Sequence, residues 1–109
     1  MKVVSVNRKK EIYNNKDNSY SISILPDSSI SKDSDLFYNP FPDFRVRFSA
    51  GICLKISKIG KCISEKFATK YYENIGLAVH FYSEDFKRYC MSKDIDYVLS
   101  YAFDKAFWY

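Results

Sequence analysis

The chain predicts an α+β fold, rich in strands, built as one domain. Three observations carry this. Arg45 to Ser57 alternates apolar and polar residues without a break, shorter β-branched or apolar runs occur at Val3–Val6, Tyr20–Leu25 and Leu77–Tyr82, and two helix-start signals stand at Ser64 and Ser83. A length of 109 residues suits a single core, and no Pro/Gly/Ser-rich linker divides it. The hydrophobic share of 47% excludes a disordered tail.

The elements follow in order. Val3 to Val6 is an opening strand favoured by its β-branched residues. Asn7 to Ser19 is polar and reads as a loop. Tyr20 to Leu25 sets Tyr20, Ile22 and Ile24 on one side with Ser21 and Ser23 opposite, and Pro26-Asp27 ends it. Ile30 to Asp43 is rich in turns, with Pro40 and Pro42 holding the backbone extended around Phe41. Arg45 to Ser57 is the clearest strand. Val46, Phe48, Ala50, Ile52, Leu54 and Ile56 form its apolar face, expected to be dry, while Arg45, Arg47, Ser49, Gly51, Cys53, Lys55 and Ser57 form a polar or functional face. Ser64 is expected to start a helix reaching about Asn74, with Gly76 as its stop. Leu77 to Tyr82 is a buried strand. Ser83 caps a second helix that carries Glu84 and Asp85 in its first turn and Phe86, Tyr89 and Cys90 on its apolar side. The tail ends on Phe107-Trp108-Tyr109, which implies a docked terminus, a partner or a truncated domain.

Composition narrows the function classes. The net charge of +4 arises from 17 basic and 13 acidic side chains spread along the chain. The densest basic run, Arg8-Lys9-Lys10, is followed at once by Glu11, so no nucleic-acid footprint is expected. Cys53, Cys62 and Cys90 are odd in number and lack Cys-x-x-Cys spacing, which argues against a disulfide framework or a structural zinc site and for a cytoplasmic protein. No apolar run approaches the ~20 residues of a membrane span or forms a signal-peptide core. Ten Tyr and nine Phe, an aromatic share of 18%, raise the alternative of an aromatic-rich protein-interaction module.

From Lys55 to Ile75 the pattern KI-x-K-I-GK-x-I-x-EKFA-x-KYY-x-x-I resembles a segment of small bacterial members of the fumarylacetoacetate hydrolase family. Leu77 to Asp85 and Asp94 to Asp104 continue the likeness in the same order, and Leu25 to Ile30 is similar to an upstream turn of that family. The resemblance covers most of this chain but about the first half of the family's domain. It implies that residues 1–109 form a single, partial fumarylacetoacetate-hydrolase-like domain, a mixed sheet with two short helices.

The family resembled cleaves, decarboxylates or isomerises small dicarbonyl acids. It uses Mg²⁺ or Mn²⁺ held by a Glu-x-Glu on one strand and an Asp on a later one, because hard cations take oxygen ligands and polarise the substrate's paired oxygens. Carried over by position, the Glu-x-Glu falls on Ser49 and Gly51 and the Asp on His80. Lid residues that activate water fall on Tyr13 and Lys16, and a substrate-contacting Lys on Tyr101. The Arg of a Thr-x-Arg-Asp start becomes Glu84, with Asp85 and Asp104 retained and read as caps or turn residues. Cys53 shares the strand face of Ser49 and Gly51 and is a candidate second ligand beside His80 for a softer metal. The competing role for His80 is a hydrogen-bonded core histidine.

Other chemistries are weaker. Three cysteines beside one histidine lack an orienting partner, the glycines are too dispersed to cradle phosphate, and Asp33/Asp35 lack the Glu of a calcium loop. The resemblance therefore implies a degenerate, catalytically inactive relative that needs no cofactor. Its unpaired sheet edges would be covered by self-association or by a partner subunit. An active enzyme with relocated ligands is the alternative.

Overall fold

The strand expected from Arg45 onward is present as β4 (Arg47–Ile56), paired antiparallel with β5 (Tyr72–Tyr82). The computed structural model describes residues 3–8, 20–32 and 36–109. Within these, β1 (Val3–Arg8) and β2 (Tyr20–Leu25) form an antiparallel pair of their own. A second sheet has the order β3-β6-β5-β4, with β3 spanning Ile30–Ser31 and β6 Phe107–Trp108. β6 runs parallel to β3 and antiparallel to β5, so this sheet is mixed. The aromatic segment is thus docked in the sheet: Phe107 is a buried inner rung between Ile30 and His80.

The first expected helix differs in kind and extent. Glu65–Lys70 is a 3-10 helix, and β5 begins at Tyr72 where helix was expected to run to Asn74. The Ser64 side chain makes no capping bond, so the start signal is weak. Pairing of Tyr72 and Asn74 with Ile56 and Lys55 satisfies their backbone better than another helical turn would, and Gly76 lies inside the strand opposite Cys53. Gly60 permits the intervening loop to close. A Cβ there would sit 2.6 Å from the Tyr71 ring and overlap Ile63 Cδ1.

The second helix, α1 (Glu84–Ser92), forms as the sequence predicts. Ser83 is buried; its hydroxyl accepts from the Phe86 N–H at 3.1 Å and donates to the Arg45 carbonyl at 2.8 Å. One side chain therefore caps the helix and ties it to the chain entering β4. Phe86 stacks on Phe41 with centroids 4.5 Å apart, Phe41 meets Phe103 edge-on at 5.3 Å, and Phe37 stacks on Phe81 at 4.1 Å.

Alternation in β4 assigns side chains to faces as expected, but the face expected to be dry is covered only in part, at its Phe81 end. Of the face expected to be dry, Phe48 is 66% exposed, Ile52 75% and, across the hairpin, Leu77 82%. The buried cluster lies on the other face, where Leu25, Ala78 and Phe107 pack with Val3, Ile30 and Cys53 around them. Leu25 sits at the end of β2 and brings the base of the β1–β2 hairpin onto this face. Alternation says which residues share a face; which face is covered depends on what else is present to pack there. Among the described residues no helix is long and apolar enough to cross a membrane.

Candidate functional site

The strand register brings three of the sequence-selected positions together. Ser49 lies directly opposite His80, and Gly51 directly opposite Ala78. Directly paired residues of an antiparallel ladder share a face with Cα atoms about 4.5–5.5 Å apart, and positions two apart on one strand repeat every ~7 Å. Ser49, Gly51 and His80 therefore mark a compact triangle on one side of the sheet. Carboxylates at such positions could share one cation.

The side chains present give that triangle a different chemistry. Ser49 and Gly51 are exposed, and a Cβ placed on Gly51 would meet nothing within 4 Å, so the place where a longer side chain would extend is open. His80 is half-buried, with Nε2 2.7 Å from the Tyr101 carbonyl oxygen. A carbonyl can only accept, so Nε2 carries the proton and donates; the lone pair of the neutral ring is on Nδ1. The imidazole also contacts the Phe107 ring at 6.3 Å between centroids.

Neighbours on the same face add no negative charge. Along β4 the face carries Arg47, Ser49, Gly51, Cys53 and Lys55, and along β5 Asn74, Gly76, Ala78, His80 and Tyr82. On this face the two strands carry two cations and no carboxylate, the reverse of what Mg²⁺ or Mn²⁺ requires, and Glu73, the acid of β5, stands at the far end beside the register shift. Cys53 is opposite Gly76 and four residues from Ser49, about 13 Å along the strand. It cannot share an ion with His80, and the register separates the pair that the sequence suggested. Among the described residues no three His, Cys, Asp or Glu side chains cluster closely enough to hold a metal ion.

The remaining positions are dispersed. Tyr101 contributes its backbone carbonyl to His80 and packs against the Leu25–Ala78–Phe107 cluster. That carbonyl is the partner sequence reasoning missed, because every residue type carries one. Asp85 stands in the first turn of α1, 3.6 Å from Arg88, and Asp104 is exposed in a turn. Tyr13, Lys16, Asp33 and Asp35 lie outside the described residues.

The sequence matches no protein-family model and no curated protein. Solved structures do match. A protein provisionally described as a fumarylacetoacetate isomerase/hydrolase, from Oleispira antarctica, superposes with a TM-score of 0.80 at 24% identity, over 97% of this chain and 50% of that one. A protein provisionally described as a fumarylpyruvate hydrolase, from Burkholderia cenocepacia, superposes with a TM-score of 0.75 at 15% identity, over 98% of this chain and 47% of that one. The chain therefore has the fold of about half of a fumarylacetoacetate-hydrolase-type protein, and it spans about half the length of the structures it matches.

Proposed function

We propose that this chain is a catalytically inactive, partial relative of the metal-dependent fumarylacetoacetate-hydrolase-type enzymes, acting in the cytoplasm without a metal cofactor. The observation that carries the reading is the triangle of Ser49, Gly51 and His80. Its register suits three ligands around one ion, yet it offers a neutral hydroxyl, a bare backbone and one imidazole.

The donor set does not fit Mg²⁺ or Mn²⁺. Such ions take six or more oxygen ligands with carboxylates among them, and Mg²⁺ gives up its water reluctantly. A single serine hydroxyl cannot replace that charge, and Arg47 and Lys55 on the same face of β4 add positive potential. Without a divalent cation, the triangle's own three residues supply no full positive charge to the enolate that forms when a dicarbonyl acid loses a carbon–carbon bond or a proton, and Arg47 stands one strand repeat away. The Nε2–H of His80 is directed at the Tyr101 carbonyl, which leaves Nδ1 as the one ring atom able to accept a proton, and a lone base without a cation to stabilise the enolate is a weak catalyst.

Calorimetric titration with Mg²⁺ and Mn²⁺, together with turnover assays on acylpyruvates and oxaloacetate, tests the reading. No saturable heat and no turnover above a protein-free control are expected. Saturable binding accompanied by turnover would overturn it and favour an enzyme whose ligands have moved.

A further inference from the structure

We propose that the triangle, together with the rung beside it, binds a small α-hydroxy carboxylate directly, with the Arg47 guanidinium supplying the positive charge in place of a metal ion. The inference rests on the metal-free reading of this site and names the ligand class that such a site takes.

Two neighbouring rungs of one sheet face carry the chemistry. Arg47 stands opposite Tyr82 and Ser49 opposite His80, and the rungs repeat about 7 Å apart along the strands. The His80 and Tyr82 rings lie 6.3 Å apart between centroids. Arg47 and Ser49 are exposed, while His80 and Tyr82 are half-buried. Leu25, fully buried against Ala78 and Phe107, closes the face on one side of these rungs, and the space above Gly51 is open. No carboxylate shares this face of the two strands. Among the described residues, the Arg47 guanidinium, the Ser49 hydroxyl, the Tyr82 phenol and Nδ1 of His80 have no hydrogen-bonding or ion-pair partner.

The ligand follows from what these four groups lack. A guanidinium keeps its charge, and its planar fork matches the two oxygens of a carboxylate. The Tyr82 and Ser49 hydroxyls can each donate to those same oxygens. Nδ1 is different. With the ring proton committed at Nε2 to the Tyr101 carbonyl, Nδ1 can only accept, so it calls for a ligand group that donates. A carboxylate with a hydroxyl on the next carbon carries both functions in one small molecule.

Two related ligands fit less well. A 2-oxo acid has no proton for Nδ1 and sets a carbonyl oxygen against its lone pair. A phosphate dianion asks for more positive charge than the one guanidinium on these rungs, because Lys55 stands about 27 Å farther along β4.

Amide chemical shifts recorded in EDTA during titration with lactate, pyruvate and inorganic phosphate test the proposal. Lactate should give saturable shifts at residues 47–51 and 78–82, and pyruvate and phosphate should each bind at least threefold more weakly. Arg47→Gln should weaken lactate binding at least tenfold without moving the unfolding midpoint, since the side chain is exposed, whereas Lys55→Gln should leave it within twofold. Equal losses in the two variants, or pyruvate or phosphate binding as tightly as lactate, would overturn the proposal. Lactate shifts that appear only after Mg²⁺ or Mn²⁺ is added would overturn it together with the metal-free reading. No saturable shift with or without metal would overturn it and leave that reading standing.

Discussion

The two ends of one strand pair, β4–β5, have opposite fates on the same face. At the Phe81 end, residues 37–44 and α1 fold over β5, leaving Phe48 of β4 66% exposed: Phe37 stacks on Phe81, Phe41 on Phe86, and Phe103 is 6% exposed beneath them. At the Leu77 end, Ile52, Leu54 and Ile75 face outward with no comparable cover among the described residues. Nothing in the strands distinguishes the two ends, since both are apolar at every second position. The difference lies in what the chain brings back over them. Apolar patterning records what a strand is built to pack against, whether or not that partner belongs to the same polypeptide.

The sharpest way to break this contrast is at the packed end. Phe103→Ala should destabilise the chain by about 3–5 kcal/mol, through lost ring burial and the cavity left under Phe37 and Phe41, read from chemical denaturation. Gly60→Ala comes next. Its methyl would press on the Tyr71 ring and Ile63, and a cost of about 1–3 kcal/mol is expected from the same measurement. Ser83→Ala removes both the helix cap and the bond to the Arg45 carbonyl. A loss of about 2 kcal/mol is expected, with faster amide exchange at Phe86. The smallest effect belongs to the bare end, where Leu77→Ala should change stability of the isolated chain by less than about 0.5 kcal/mol. A large loss there would mean that the two ends are not different after all.

Much of the fold was legible in the residues. Alternation located β4 and its faces, Tyr20–Leu25 appears as a strand with the predicted bounds, and Ser83 caps α1 with two acids in the first turn. The helix beyond Lys70 was not legible, because pairing with β4 overrides a local preference that spacing alone can see. Which face is covered was not legible either. Leu25 seals the face that reads as polar because Ala78 and Phe107 stand across from it, and that depends on register and on a docked tail. For the site, strand parity predicts that Ser49 and Gly51 share a side. That His80 stands opposite Ser49, with its Nε2–H given to a carbonyl, required the register.

The central claim is that the triangle of Ser49, Gly51 and His80 cannot hold a divalent cation because it lacks carboxylates. Mn²⁺ titration followed by paramagnetic broadening of backbone amide signals tests this residue by residue. The natural chain should show no saturable broadening at residues 49–51 and 78–80, whereas the S49E/G51E/H80D variant, with open space at Gly51, should show it there. Saturable broadening centred on those amides in the natural chain would contradict the account.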